Sequence, residues 1–156
     1  MNTLSFSWGE ATSLAAELAK PLKHVFVEFM PHGEPITLTL WRSDDTGLKI
    51  HSQMHDLTER TEVGVLNFSF NSEPPTEGKA VCVASMFQRH INPSKLVIEE
   101  SGTIAESGVV LEAANDQIVI VAGAFPFTLA VSGLFAGPNV FRPEYPMEQY
   151  ARVPLV

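Results

Sequence analysis

Apolar and polar positions alternate with a two-residue period along much of this chain. His24 to Met30 sets Val25, Val27 and Phe29 against His24, Phe26 and Glu28. Ile36 to Arg42 sets Ile36, Leu38 and Leu40 against Thr37, Thr39 and Trp41, and Leu48 to Met54 repeats the pattern with Lys49, His51 and Gln53 on the polar side. Successive side chains of a strand point to opposite faces, so each segment reads as a half-buried strand. The loop Pro31-His32-Gly33-Glu34-Pro35 and the turn Asp44-Asp45-Thr46-Gly47 join the three into an antiparallel meander. Further strands are predicted over 63–70, 79–87, 95–100, 108–113 and 117–122, with Ala114-Asn115-Asp116 as a hairpin connection.

Only the N-terminus changes period. Ser7-Trp8-Gly9-Glu10 has capping-box spacing, Ala11, Leu14, Ala15 and Leu18 follow at helical intervals, and Pro21 ends the pattern. This predicts a helix at about 8–20. The expected fold is a single α+β domain over residues 1–156. Its N-terminal helix packs on a mostly antiparallel sheet of about six to eight strands, and a sheet of that size is free to curl or split in two.

Residues 117–140 carry no charge. The stretch is long enough to span a bilayer, but Gly123, Pro126, Gly133 and Gly137 interrupt it, and Ile, Val, Phe and Thr favour strands. It reads as two strands, 117–122 and 127–132, joined at Gly123-Ala124-Phe125-Pro126, and buried in the core or under another subunit. In the tail, Tyr145, Met147 and Tyr150 are placed to strap the end of the chain onto the domain or to form a docking patch, with one helical turn after Pro146.

Composition narrows the partners. The formal net charge is −8, from 10 basic and 18 acidic residues, and no basic run is present. Nucleic acid and anionic membrane are therefore disfavoured, and a basic protein would be steered toward this surface. One cysteine, Cys82, excludes an intramolecular disulfide framework, and a cytoplasmic setting is expected. The apolar run around Cys82 reads as a core strand, which makes it a buried thiol rather than a nucleophile.

Signatures of chemistry are scarce. His51 and His55 have the i, i+4 spacing of a helical metal site, but on a strand their Cα atoms would lie roughly 13 Å apart. No metal site and no cofactor are expected. Glu28, between Val27 and Phe29, is the one carboxylate in a strongly apolar strand, and it shares a face with His24. Glu28 and His24 are the catalytic candidates; Trp41, Tyr145 and Tyr150 are the binding candidates. The expected function is a non-enzymatic protein-interaction domain with an acidic surface, one concrete form being the neutralisation of a basic nuclease-like toxin. The alternative is a small-molecule binder or enzyme with a pocket between helix and sheet, lined by Glu28, His24 or Trp41. Few lysines are present to blunt open sheet edges, so self-association as a homodimer is also expected.

Overall fold

The computed structural model describes residues 2–7, 13–70, 72–74 and 78–155. The strands are β1 (Asn2–Leu4), β2 (Leu22–Phe29), β3 (Pro35–Arg42), β4 (Gly47–Asp56), β5 (Glu62–Phe70), β6 (Lys79–Cys82), β7 (Asn92–Glu100), β8 (Thr103–Ala113), β9 (Asp116–Ala122), β10 (Leu129–Ser132) and β11 (Ala151–Pro154). They form two sheets. The first has the order β5-β4-β3-β2-β6; the second has the order β10-β9-β8-β7-β11, with β1 added parallel to β8. All other ladders are antiparallel, and the predicted meander is β2-β3-β4.

The α+β expectation is overturned. Among the described residues, strands make up 55% and helical turns 8%, arranged as two sheets rather than one sheet with a helix across it. Residues 8–12 of the helix expected over about 8–20 lie outside the described residues; among those described, α1 spans Leu14–Leu18, Ser13 caps it by accepting from the Ala16 N–H at 3.3 Å, and Ala19 ends it just ahead of Pro21. Of the capping box read at Ser7–Glu10, residues 8–10 lie outside the described residues. Ser7 itself is extended and bridges to Asn67 of β5: its N–H donates to Leu66 O and its carbonyl accepts from Phe68 N–H at 2.7 Å. The apolar residues of a short helix are held here by tertiary contacts rather than by helix propensity. Leu14 and Leu18 are buried, and the buried Arg42 guanidinium donates to the Glu17 carbonyl and to Thr46, which ties α1 to the β3–β4 turn.

Each sheet contributes one face to a shared interior. Val25, Val27, Leu38, Leu40, Leu48, Ile50, Leu66 and Phe68 meet Val109, Leu111, Ile118, Ile120, Leu129 and Val131 there. The strand expected over 79–87 stops at Cys82; a 3-10 turn, Ser85–Gln88, follows and puts Phe87 into this interior. The second sheet has another core on its opposite face, where Leu96, Ile98, Val110, Val119, Val121 and Ala130 lie under Val63, Val65 and the tail residues Tyr145, Met147 and Tyr150. A sheet buried on both faces loses its polar alternation. That accounts for the uncharged run of β9 and β10, which lies in the core of this chain.

Gly64 lets β5 cross close to the second sheet. A Cβ at this position would sit 2.5 Å from the Ala122 Cβ. The backbone exposed at this crossing is satisfied from the second sheet and the tail: Ser107 Oγ donates to Gly64 O at 2.6 Å, and Gly64 N–H donates to Glu144 Oε1 at 2.9 Å. Among the described residues, no helix is long and apolar enough to cross a membrane.

Candidate functional site: the aromatic loop and its flanking recesses

The residues singled out from the sequence fall into two separate places. His24, Trp41 and Glu28 all lie on the outer face of the first sheet. His24 is directly opposite Trp41 across the β2–β3 ladder, and its ring meets Phe26 edge-on at 4.7 Å. Glu28 is paired with Thr37, whose hydroxyl donates to its carboxylate at 2.6 Å. None of the three lines the space beside the helix. A recess of about 330 Å³ does lie there, walled by Phe6, Ser13, Leu14, Ala15 and Leu155 around the Lys95–Glu106 ion pair. Cys82 opposes His24 from edge strand β6 and is exposed, which corrects the reading of it as a core thiol. The four-residue β6 leaves its polar side to solvent, and the inward positions fall to Val81 and Val83.

Tyr145 and Tyr150 belong to the tail and to the second core. Their rings meet edge-on at 6.3 Å, and the Tyr145 N–H donates to the Tyr150 hydroxyl at 3.3 Å. Burial pushes the Tyr145 hydroxyl up to about 12 and raises that of Tyr150 further. Glu144, next along, is pushed up to about 7, chiefly by burial and then by the nearby Glu62 and Glu100 carboxylates, against the lowering effect of the Gly64 hydrogen bond. The tail's helical turn is present as a 3-10 turn, Met147–Gln149.

The surface feature that sequence reasoning missed is the β9–β10 connection. Phe127, expected as the first residue of a buried strand, is 58% exposed, and Phe125 is 46% exposed. The turn is tightly built. Gly123 N–H donates to Thr128 O at 2.8 Å, and the Thr128 hydroxyl donates to Phe125 O at 2.6 Å. A Cβ at Gly123 would fall 2.3 Å from Thr128 Oγ1, so glycine is required there. Phe127 has φ +66°, the left-handed region that bulky residues avoid. The strain is of the order of 1–3 kcal/mol and holds the ring outward. The tail braces the loop through Ala124 N–H to Arg142 O at 2.7 Å, and the Arg142 guanidinium lies 5.1 Å from the Phe125 ring centroid. The signal available in the sequence was Gly123 with Pro126, a turn pair inside an apolar run.

Phe29 and Met30, at the start of the β2–β3 turn, are the other exposed large apolar side chains among the described residues. The loop walls two recesses. Phe125, Pro126 and Thr128 close one of about 300 Å³ with Met30, His32 and Glu34. Phe127 closes another of about 330 Å³ with Ile36, Thr37, Lys49, His51, Ser52 and Ser69. In the second, burial and then the Lys49 charge lower the His51 pKa. The Ser52 hydroxyl is buried without a hydrogen-bond partner among the described residues. Among the described residues, no three His, Cys, Asp or Glu side chains gather as a metal-holding group.

Compared with known proteins, the chain matches no family model, no curated protein and no solved structure. The functional reading therefore rests on the geometry of the chain itself.

Proposed function

We propose that this chain is a protein-binding domain that docks a basic partner through the loop Phe125-Pro126-Phe127 and the neighbouring Phe29 and Met30. The observation that carries the reading is Phe127: a large ring 58% exposed on a backbone at φ +66°. Folding alone gains little from showing apolar area to water at the cost of backbone strain, whereas a partner that buries the ring recovers it. Phe, Met and Arg side chains are enriched at the centres of protein interfaces, and Arg142 stacked on Phe125 completes that set. The net charge of −8 favours a basic partner and fast association. Neutralisation of a basic nuclease-like toxin is one form this activity would take.

The test is affinity capture from native lysate with the wild type and a Phe125→Ser/Phe127→Ser variant, at low and high salt. A stoichiometric basic protein held by the wild type, and lost both from the variant and at high salt, is the expected result. Equal retention by both proteins, or no retained partner, refutes the reading.

A second reading is favoured by one observation, the unpartnered Ser52 hydroxyl beside Lys49 and His51. A small anion with an apolar body would place its charge on Lys49 and its body against Phe127. This is the small-molecule alternative, moved from the helix side of the domain to the outer loop. Titration with phenyl phosphate, read by the His51 ring resonances, separates it from the docking reading, which predicts no saturable shift.

A further inference from the structure

The recess between the β2–β3 turn and the aromatic loop is lined by Glu34, whose carboxylate has no partner among the described residues. Glu34 is 8% exposed. Its position is fixed by the turn: Met30 N–H donates to Glu34 O at 2.8 Å, Gly33 takes φ +98°, and Pro35 begins β3 directly afterwards. Glu34 lines the recess with Met30, His32, Phe125, Pro126 and Thr128, and the Thr128 hydroxyl is committed to Phe125 O. Among the described residues, no cation lies within ion-pair distance of Glu34, and no side-chain or backbone donor reaches its carboxylate. Among the described residues the fully enclosed unpaired side-chain atoms are Ser52 Oγ and Asn67 Oδ1, so the Glu34 carboxylate keeps some contact with solvent.

A carboxylate desolvated by apolar walls is costly until a cation joins it. That cost selects the ligand. A neutral apolar group would complete the desolvation and leave the charge unpaired, and an anion would be repelled. A divalent metal needs further oxygen or nitrogen donors, which the recess does not gather. A long side chain with an aliphatic stem and a cationic head satisfies both parts of the recess. The stem lies along Met30 and Pro126, and the head reaches Glu34 past the Phe125 ring. Arg142 shows within this chain that the Phe125 ring accepts a guanidinium; it lies outside the recess and makes no ion pair with Glu34.

We infer that this recess is a receptor for one lysine or arginine side chain of the docked partner. The inference rests on the docking reading above and adds the residue type that the partner must present beside its apolar contact.

The test uses Nα-acetyl-lysine N-methylamide, the arginine counterpart and the uncharged norleucine counterpart. Binding is followed through the methyl signals of the five methionines, with Met30 assigned by Met30→Leu. Either cation should shift the Met30 signal saturably, and Glu34→Gln should weaken that binding at least tenfold, as loss of a charge-assisted hydrogen bond does. The norleucine probe should leave the signal in place. Equal binding of norleucine, unchanged binding to Glu34→Gln, or no saturable shift with either cation overturns the inference. The two proposals fail separately. Partner capture that depends on Phe125 and Phe127 without any lysine or arginine site leaves docking intact and removes the recess. Cation binding at Glu34 with capture indifferent to the loop does the reverse.

Discussion

Two aromatic pairs flank one seam of the molecule and have opposite fates. At the seam, the tail hydrogen-bonds to the end of β9 and its turn: Glu144 N–H donates to Ala122 O, and Ala124 N–H donates to Arg142 O. On the tail side, Tyr145 and Tyr150 fold down onto the second sheet, where the Tyr150 hydroxyl finds a backbone N–H. On the loop side, Phe125 and Phe127 point away into solvent. The loop rings, without hydroxyls, are the more hydrophobic pair, so transfer free energy alone does not explain why they are the exposed ones. Backbone geometry does: the tail's 3-10 turn, Met147–Gln149, sets both tyrosines against the second core, whereas the tight loop holds Phe127 at φ +66° with its ring exposed.

The largest effect expected from this contrast is on stability. Tyr150→Ala should cost about 3–4 kcal/mol, because it empties a packed site under the tail. Phe125→Ser with Phe127→Ser should change stability by about 0.5 kcal/mol or less, as exposed substitutions do. Equilibrium denaturation of both variants measures the difference. Losses of equal size would mean that the loop is structural, and the docking proposal would lose its basis.

A smaller effect sharpens the tail side. Glu144 has a folded-state pKa of about 7, raised by burial above the ordinary carboxylate value of 4.5. A group raised on folding stabilises the folded state fully below its unfolded pKa, and that contribution is lost as pH rises through the folded pKa. Stability should therefore fall between about pH 4.5 and 7. Because the group is partly exposed, the fall is discounted to about 1–2 kcal/mol. His51, whose pKa burial lowers, acts in the opposite direction over part of this window, so the wild type alone is ambiguous. The difference between wild type and Glu144→Gln cancels His51. A pH-independent difference would show that Glu144 does not hold a proton against the tail seam.

What the sequence revealed and what it hid follow from the same physics. The β2-β3-β4 meander was readable because the aliphatic residues of these strands are buried on one face, and period-two alternation records that. The β8–β9 hairpin was readable from its polar connection. A sheet of this many strands was free to split in two, but where it divides was hidden: β5 crosses the second sheet at Gly64, against Ala122, with hydrogen bonds from Ser107 and to Glu144 far along the chain. The helix was overpredicted because Ala and Leu at helical spacing also suit a short turn pinned by Arg42. The candidate residues shared the sheet face assigned to them, but a face is not a site. Glu28 and His24 lie toward opposite ends of β2, each with its own local partners. Phe127 and Glu34 drew no notice because their importance lies in a φ angle and in a missing partner, neither of which leaves a residue pattern.

The smallest expected effect is the most diagnostic. Phe127→Gly removes the left-handed strain, since glycine adopts positive φ without a Cβ clash, but it also adds conformational freedom to the unfolded chain. The two terms oppose each other, and the net expectation is a gain of about 0.5–1 kcal/mol. A ring 58% exposed contributes too little packing to reverse that sign. The same substitution should abolish capture of the basic partner. Stability and capture moving in opposite directions is the behaviour of a residue kept for binding at the expense of folding. Loss of both together would instead make Phe127 part of the architecture, held outward because the turn between β9 and β10 needs its bulk, and the aromatic loop would then be only the end of a hairpin.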